Sequence, residues 1–159
     1  MPTHLPVAKE IRDLFVDLLD RAVTLSPSAP LAPTHKNPCT VGVFVDDRLQ
    51  VTALIVLDLP LSAYIGAAIG LVPPGGAEAA INTGLNDTLR ENVHEVYNIA
   101  ASLFNVGEAD HLRLYDVHHA GDPLPPDILV KSLTLGRRED VRVEVGGYGS
   151  GGLSVVLVR

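Results

Sequence analysis

Asn86-Asp-Thr-Leu-Arg-Glu91-Asn-Val-His-Glu95-Val-Tyr-Asn98-Ile-Ala-Ala-Ser102-Leu-Phe104 carries the strongest periodicity in the 159-residue chain. Leu89, Val93, Val96, Ile99, Ala100 and Leu103 recur at steps of one, three and four, which predicts a long amphipathic helix with one packed side. Asn86 suits the N-cap, because its short amide accepts from the first free backbone N–H groups, and Gly107 suits a stop. A helix with one apolar side needs another layer to lie on.

That layer is a sheet. Thr40 to Val45 and Leu49 to Leu57 are rich in Val, Ile, Leu and Thr, and Asp46-Asp47-Arg48 between them suits a short hairpin turn. The second run has few polar interruptions, so it is expected to lie centrally or to be covered on both faces. Pro60 opens a short helix with Leu61, Tyr64, Ile65, Ala68, Ile69 and Val72 on one face, and Pro73-Pro74-Gly75-Gly76 closes it. Ala77 to Ile81 reads as one further turn.

Toward the amino end, Val7, Ile11, Leu14, Phe15, Leu18 and Leu19 predict a first helix between Pro6 and Leu25. Residues 26–38 hold four prolines and read as an extended connector. Beyond the long helix, Leu112, Leu114 and Val117 suggest a strand with an edge or bend near Asp116. Ile128 to Leu135, Val141 to Val145 and Leu153 to Val158 are read as strands, with Gly146 to Gly152 as a flexible turn joining the last two. The expectation is one domain over residues 1–159, α/β or α+β. Its sheet is antiparallel or mixed, of about six strands, with the long helix packed on one face.

Hydrophobic types make up 47% of the chain, enough for a core, and 12 Lys+Arg against 19 Asp+Glu give a net charge of -7. That balance argues against nucleic acid or an anionic membrane as partner and favours one with a basic patch. Cys39 is the single cysteine, which excludes an intrachain disulfide and any multi-cysteine metal site. The amino end lacks the basic segment and apolar run of a secretory signal, and no apolar run reaches the roughly 18–20 residues of a membrane span. A cytoplasmic address is expected.

Opposite the apolar side of the long helix, Glu91, Glu95, Asn98 and Ser102 stand four, three and four apart and share a stripe. By composition alone this is the solvated side of an amphipathic helix, since Glu is a strong surface helix former. The order Glu91-Asn-Val-His-Glu95-Val-Tyr-Asn98 nevertheless resembles the motif helix of the CheC/CheX/FliY chemotaxis phosphatase family. There an Asp or Ser is followed by three residues, a Glu, two residues, an Asn, and a proline somewhat more than twenty residues on. Glu95 and Asn98 match the central positions, Glu91 stands at the Asp/Ser position, and Pro123 follows slightly later than the pattern. One motif copy is similar to the CheX-like type, and the order of elements is alike from about residue 5 to residue 158.

The resemblance implies hydrolysis of the aspartyl phosphate on a response-regulator receiver domain. Asn98 would position the attacking water and Glu95 would pair with the receiver's lysine, making these two the catalytic candidates. Glu91, Glu95 and Ser102 would touch the partner. No cofactor is expected in this chain, with magnesium supplied by the receiver, and a homodimer through an apolar sheet edge is a further expectation. The alternative is a noncatalytic CheX-like interaction or adaptor domain in bacterial signalling.

Other residues have plainer readings. His94, His111, His118 and His119 are conceivable metal ligands or a base, but the adjacent His118 and His119 should point to opposite faces of a strand. His94 facing either of them across a cleft would indicate a different kind of site. Cys39 reads as a small buried residue. The glycine-rich segment lacks the helix and Lys-Ser/Thr ending of a phosphate loop, and Arg137, Arg138 and Arg142 are balanced by Glu139, Asp140 and Glu144.

Overall fold

In the computed structural model, which describes residues 2–158, six strands form one sheet in the order β1-β5-β6-β3-β2-β4. The strands are β1 Val23–Pro27, β2 Cys39–Val45, β3 Val51–Asp58, β4 Arg113–His118, β5 Arg138–Val145 and β6 Gly149–Leu157. Every neighbouring pair is antiparallel. The helices are α1 Ala8–Leu19, α2 Leu59–Ile69, α3 Pro74–Thr83, α4 Asp87–Ala100 and α5 Pro126–Ser132. The fold is α+β, as expected, and the predicted hairpin is β2–β3.

Alternation along β3 explains the layering. Ala53, Ile55 and Leu57 face the main core beneath α1, α2 and α4, while Leu54 and Val56 join a smaller core with Val41, Val43, Val156 and Ile128 of α5 on the other face. Both faces of β3 are therefore dry, which is why the run carries so few polar residues. All residues from Leu61 to Ala68 of α2 are buried, so this helix packs all round and not along one face. Its N-cap is Asp58, whose Oδ1 accepts from Leu61 N–H at 2.9 Å and whose Oδ2 accepts from Gly152 N–H at 2.8 Å.

That contact corrects the reading of the glycine-rich segment. Only residues 146–148 make the turn, and Gly149 to Gly152 belong to β6. An added Cβ on Gly151 would lie 2.8 Å from Leu61 Cβ and 2.5 Å from Asp58 Oδ1. Glycine is needed there for close approach of a helix, not for a mobile tip.

Two other boundaries differ from expectation. The first helix stops at Leu19, with Asp20 in the left-handed region at φ 51°, and the chain re-enters the sheet as edge strand β1 through Pro27. Proline is tolerated there because an edge strand has one unpaired side. The connector is thus residues 28–38, tied down by Ser28 N–H to Asp140 O and Leu31 N–H to Ser154 Oγ. Residues 128–135 are not a strand, since α5 begins at Pro126 and buries Ile128 and Ser132, one helical turn apart. A short apolar run cannot by itself distinguish strand from helix, and the proline at the first helical turn was the deciding signal.

Candidate functional site: the outward face of the long helix

Asn86 Oδ1 accepts from Leu89 N–H at 2.9 Å and starts α4 where the cap was expected. The helix runs to Ala100 and tightens into a 3-10 turn over Ala101–Leu103. Val93, Val96, Tyr97 and Ala100 are buried against the sheet and α2. Tyr97 is the largest fully buried side chain, and its hydroxyl donates to Thr40 O at 3.1 Å and Ile55 O at 3.0 Å. Burial, foremost, pushes its phenol well above the ordinary value, so it stays a neutral donor.

Two lateral ties fix the rotation of α4 about its axis. Asn92 Nδ2 donates to Gly66 O of α2 at 2.9 Å. On the other flank, Arg90 grips Asp122, beyond β4, through two bonds of 2.7 and 3.0 Å, while its Nε donates to Leu85 O at 3.2 Å. This hydrogen bonding with Arg90 holds the Asp122 carboxyl below its usual range. Sequence reasoning missed both ties. Asn92, polar beside the apolar stripe, carried a faint signal; the Arg90–Asp122 pair, 32 residues apart, carried none.

With that seat fixed, Glu91, Glu95, Asn98 and Ser102 all come out exposed on one side, as the spacing required. The side chains of Glu91, Glu95 and Asn98 have no hydrogen-bond or ion-pair partner among the described residues. Glu95 and Asn98 thus offer one carboxylate and one carboxamide, three residues apart, on an exposed helix face. Such a face cannot enclose a small substrate, but it can be leaned on by another protein. Pro123 is exposed in the loop between β4 and α5.

Beside the stripe, Arg90, Glu91, His94 and His119 line a shallow depression of about 270 Å³. His94 and His119 therefore do share a surface. His119 is half-buried, its buried Nδ1 has no hydrogen-bond partner in the described structure, and burial first, then the Arg90 charge, holds its pKa below the ordinary value. His118 Nε2 lies 3.7 Å from Asp116, and His111 Nδ1 lies 3.9 Å from Asp47. No group of three or more His, Cys, Asp or Glu side chains suited to a metal ion occurs among the described residues. Cys39 is buried with its thiol pushed up to about 12 by burial and by Asp58, which leaves no thiolate for nucleophilic chemistry near neutral pH. Among the described residues no helix is long and apolar enough to cross a membrane.

No family model matches the sequence, and no curated protein matches it either. Solved structures do share its fold. FliY of Thermotoga maritima superposes with a TM-score of 0.55 at 14% identity, covering 93% of this chain and 82% of that one. A chain of the FliM–SpeE complex from H. pylori gives 0.53 at 9% identity, covering 94% and 80%. The CheX–CheY–BeF3–Mg complex from Borrelia burgdorferi gives 0.45 at 7% identity, over 94% and 93%. The chain thus has the fold seen in FliM and FliY.

Proposed function

We propose that the protein is a cytoplasmic signalling domain that lays the outer face of α4 against the receiver domain of a response regulator and speeds loss of its aspartyl phosphate. The observation that carries the proposal is the outward, unpartnered pair Glu95 and Asn98 on a helix whose rotation is fixed from both flanks. The fold shared with FliY and FliM supports a signalling role. Docking comes first, since an exposed helix face does not enclose a substrate of its own.

In the docked complex the receiver brings the phosphoaspartate and its magnesium, which stabilises charge on the phosphoryl oxygens. Asn98 accepts from the attacking water and donates to a phosphoryl oxygen, holding the water in line. The water oxygen bonds to phosphorus, the bond from phosphorus to the aspartyl oxygen breaks, and inorganic phosphate and a free aspartate result. Glu95 pairs with a receiver lysine and sets the angle at which Asn98 enters; a charge pair desolvated on docking fixes register well.

The second reading is docking without hydrolysis. Glu91 favours it, because its free carboxylate sits one turn from Glu95 and adds negative charge beside the reacting phosphoryl group. The occurrence of this fold in FliM, whose structure was solved in complex with SpeE, points the same way. The test is the decay of phosphorylated receivers from the source genome with and without the protein. Faster decay abolished by Asn98→Ala supports hydrolysis; binding of a receiver without faster decay supports the adaptor; neither with any receiver ends the proposal.

A further inference from the structure

The depression lined by Arg90, Glu91, His94 and His119 flanks Asn98 and Glu91 on α4, and its charges are unevenly committed. Arg90 is spent: all three of its guanidinium nitrogens donate, two to Asp122 and one to Leu85 O. Asp122 is spent on Arg90 in turn. His119 is held toward its neutral form by burial and by the Arg90 charge. Glu91 is left as an exposed carboxylate without a partner among the described residues, at the lip of a hollow with two imidazoles in its wall.

We infer that this hollow is a second docking socket beside Asn98, and that it receives a cationic side chain, lysine or arginine, from the protein that covers α4. Glu91 supplies the countercharge, and His94 and His119 supply ring nitrogens that accept from the ammonium or guanidinium. A cation seated there neutralises Glu91, as a receiver lysine would neutralise Glu95, so that neither carboxylate opposes a phosphoryl group brought to Asn98. The inference deepens the docking proposal and rests on α4 being the covered face. It does not depend on hydrolysis.

The charged and titratable groups around the socket are Asp87, Arg90, Glu91 and His94 from α4, and Asp116, His118, His119 and Asp122 from β4 and the turn after it. The full chain, labelled with nitrogen-15, is titrated with Nα-acetylarginine amide as the probe. Saturable shifts centred on residues 90, 91, 94 and 119 are expected, about fivefold weaker in Glu91→Gln. The His94→Ala/His119→Ala double variant, which removes the accepting ring nitrogens from the wall, should weaken them as well.

Shifts centred elsewhere, shifts that never saturate, or a Glu91→Gln variant that binds like the parent would overturn the socket. A parallel titration with beryllofluoride-loaded receivers separates the two ideas. If no receiver binds while the arginine probe still saturates, the socket stands and the receiver reading falls. If a receiver binds and Glu91→Gln leaves that affinity unchanged, the socket falls and the receiver reading stands.

Discussion

The Tyr97 ring fills the space above Gly42 of β2 that the Cβ of any other residue would occupy, with an added Cβ overlapping Cδ1 and Cε1 of the ring. This single fit sets how deeply α4 sits on the sheet, and so where its opposite side points. Gly42→Ala should push the ring out and cost about 3 kcal/mol, at the upper end of overpacking effects. Tyr97→Phe keeps the ring, removes the hydroxyl that two carbonyls share, and should cost about 1 kcal/mol. Urea denaturation measures both; equal costs would contradict the packing argument.

On the far face of the sheet, Arg138 and Asp140 form an ion pair at 3.0 Å with side chains only 7% and 12% exposed. Ser154 Oγ donates to Asp140 at 2.5 Å, and Arg138 Nη1 donates to Ser132 O and Thr134 O at the end of α5. Removing one member strands a buried charge. Asp140→Ala should therefore cost about 3 kcal/mol in urea, with Asp140→Asn costing less because the amide oxygen still accepts.

Cys39 donates to Asn37 O at 3.4 Å and is raised to about 12. Native protein at pH 8 should react with a thiol-specific chromogenic reagent at least about a hundredfold more slowly than the same protein in denaturant, where the thiol regains an ordinary pKa near 8.5. Equal rates in the two states would place this thiol outside the core.

His119 has a folded pKa below its ordinary value of 6.5, so the unfolded chain binds more protons between those two values. Stability is then fully present above pH 6.5 and falls as pH drops through the folded value. The Arg90–Asp122 pair acts lower, with a carboxyl depressed below 3.8, so its contribution is lost only as pH falls beneath that. Denaturant midpoints between pH 7.5 and 5 should decline in the parent and decline less in His119→Gln.

The elements that were legible in sequence are those whose burial pattern is one-sided or continuous: α4, the β2–β3 hairpin and the start of α2. Glu95 and Asn98 were legible because helical spacing alone fixes which side chains share a side, and their exposure followed. What was illegible depends on distant partners. Gly151 is small because Asp58 and Leu61 arrive there from 93 and 90 positions earlier, which no local window contains. Val23 to Leu25 continued the apolar run of α1, and only the left-handed turn at Asp20 separates helix from strand β1. Residues 128–135 had strand composition, but Pro126 opens a helical turn there and the segment joins no strand of the sheet.

The central claim is that Asn98 acts on a phosphoryl group held by another protein, and the lifetime of that phosphoryl group is its direct measure. Phosphorylated receivers are mixed with parent, Glu95→Ala and Asn98→Ala protein, and phosphate release is followed over a range of protein concentrations. The parent should shorten the lifetime, Glu95→Ala should need about tenfold more protein for the same effect, and Asn98→Ala should bind yet lose about a hundredfold in rate. An Asn98→Ala protein that releases phosphate as fast as the parent would contradict the account.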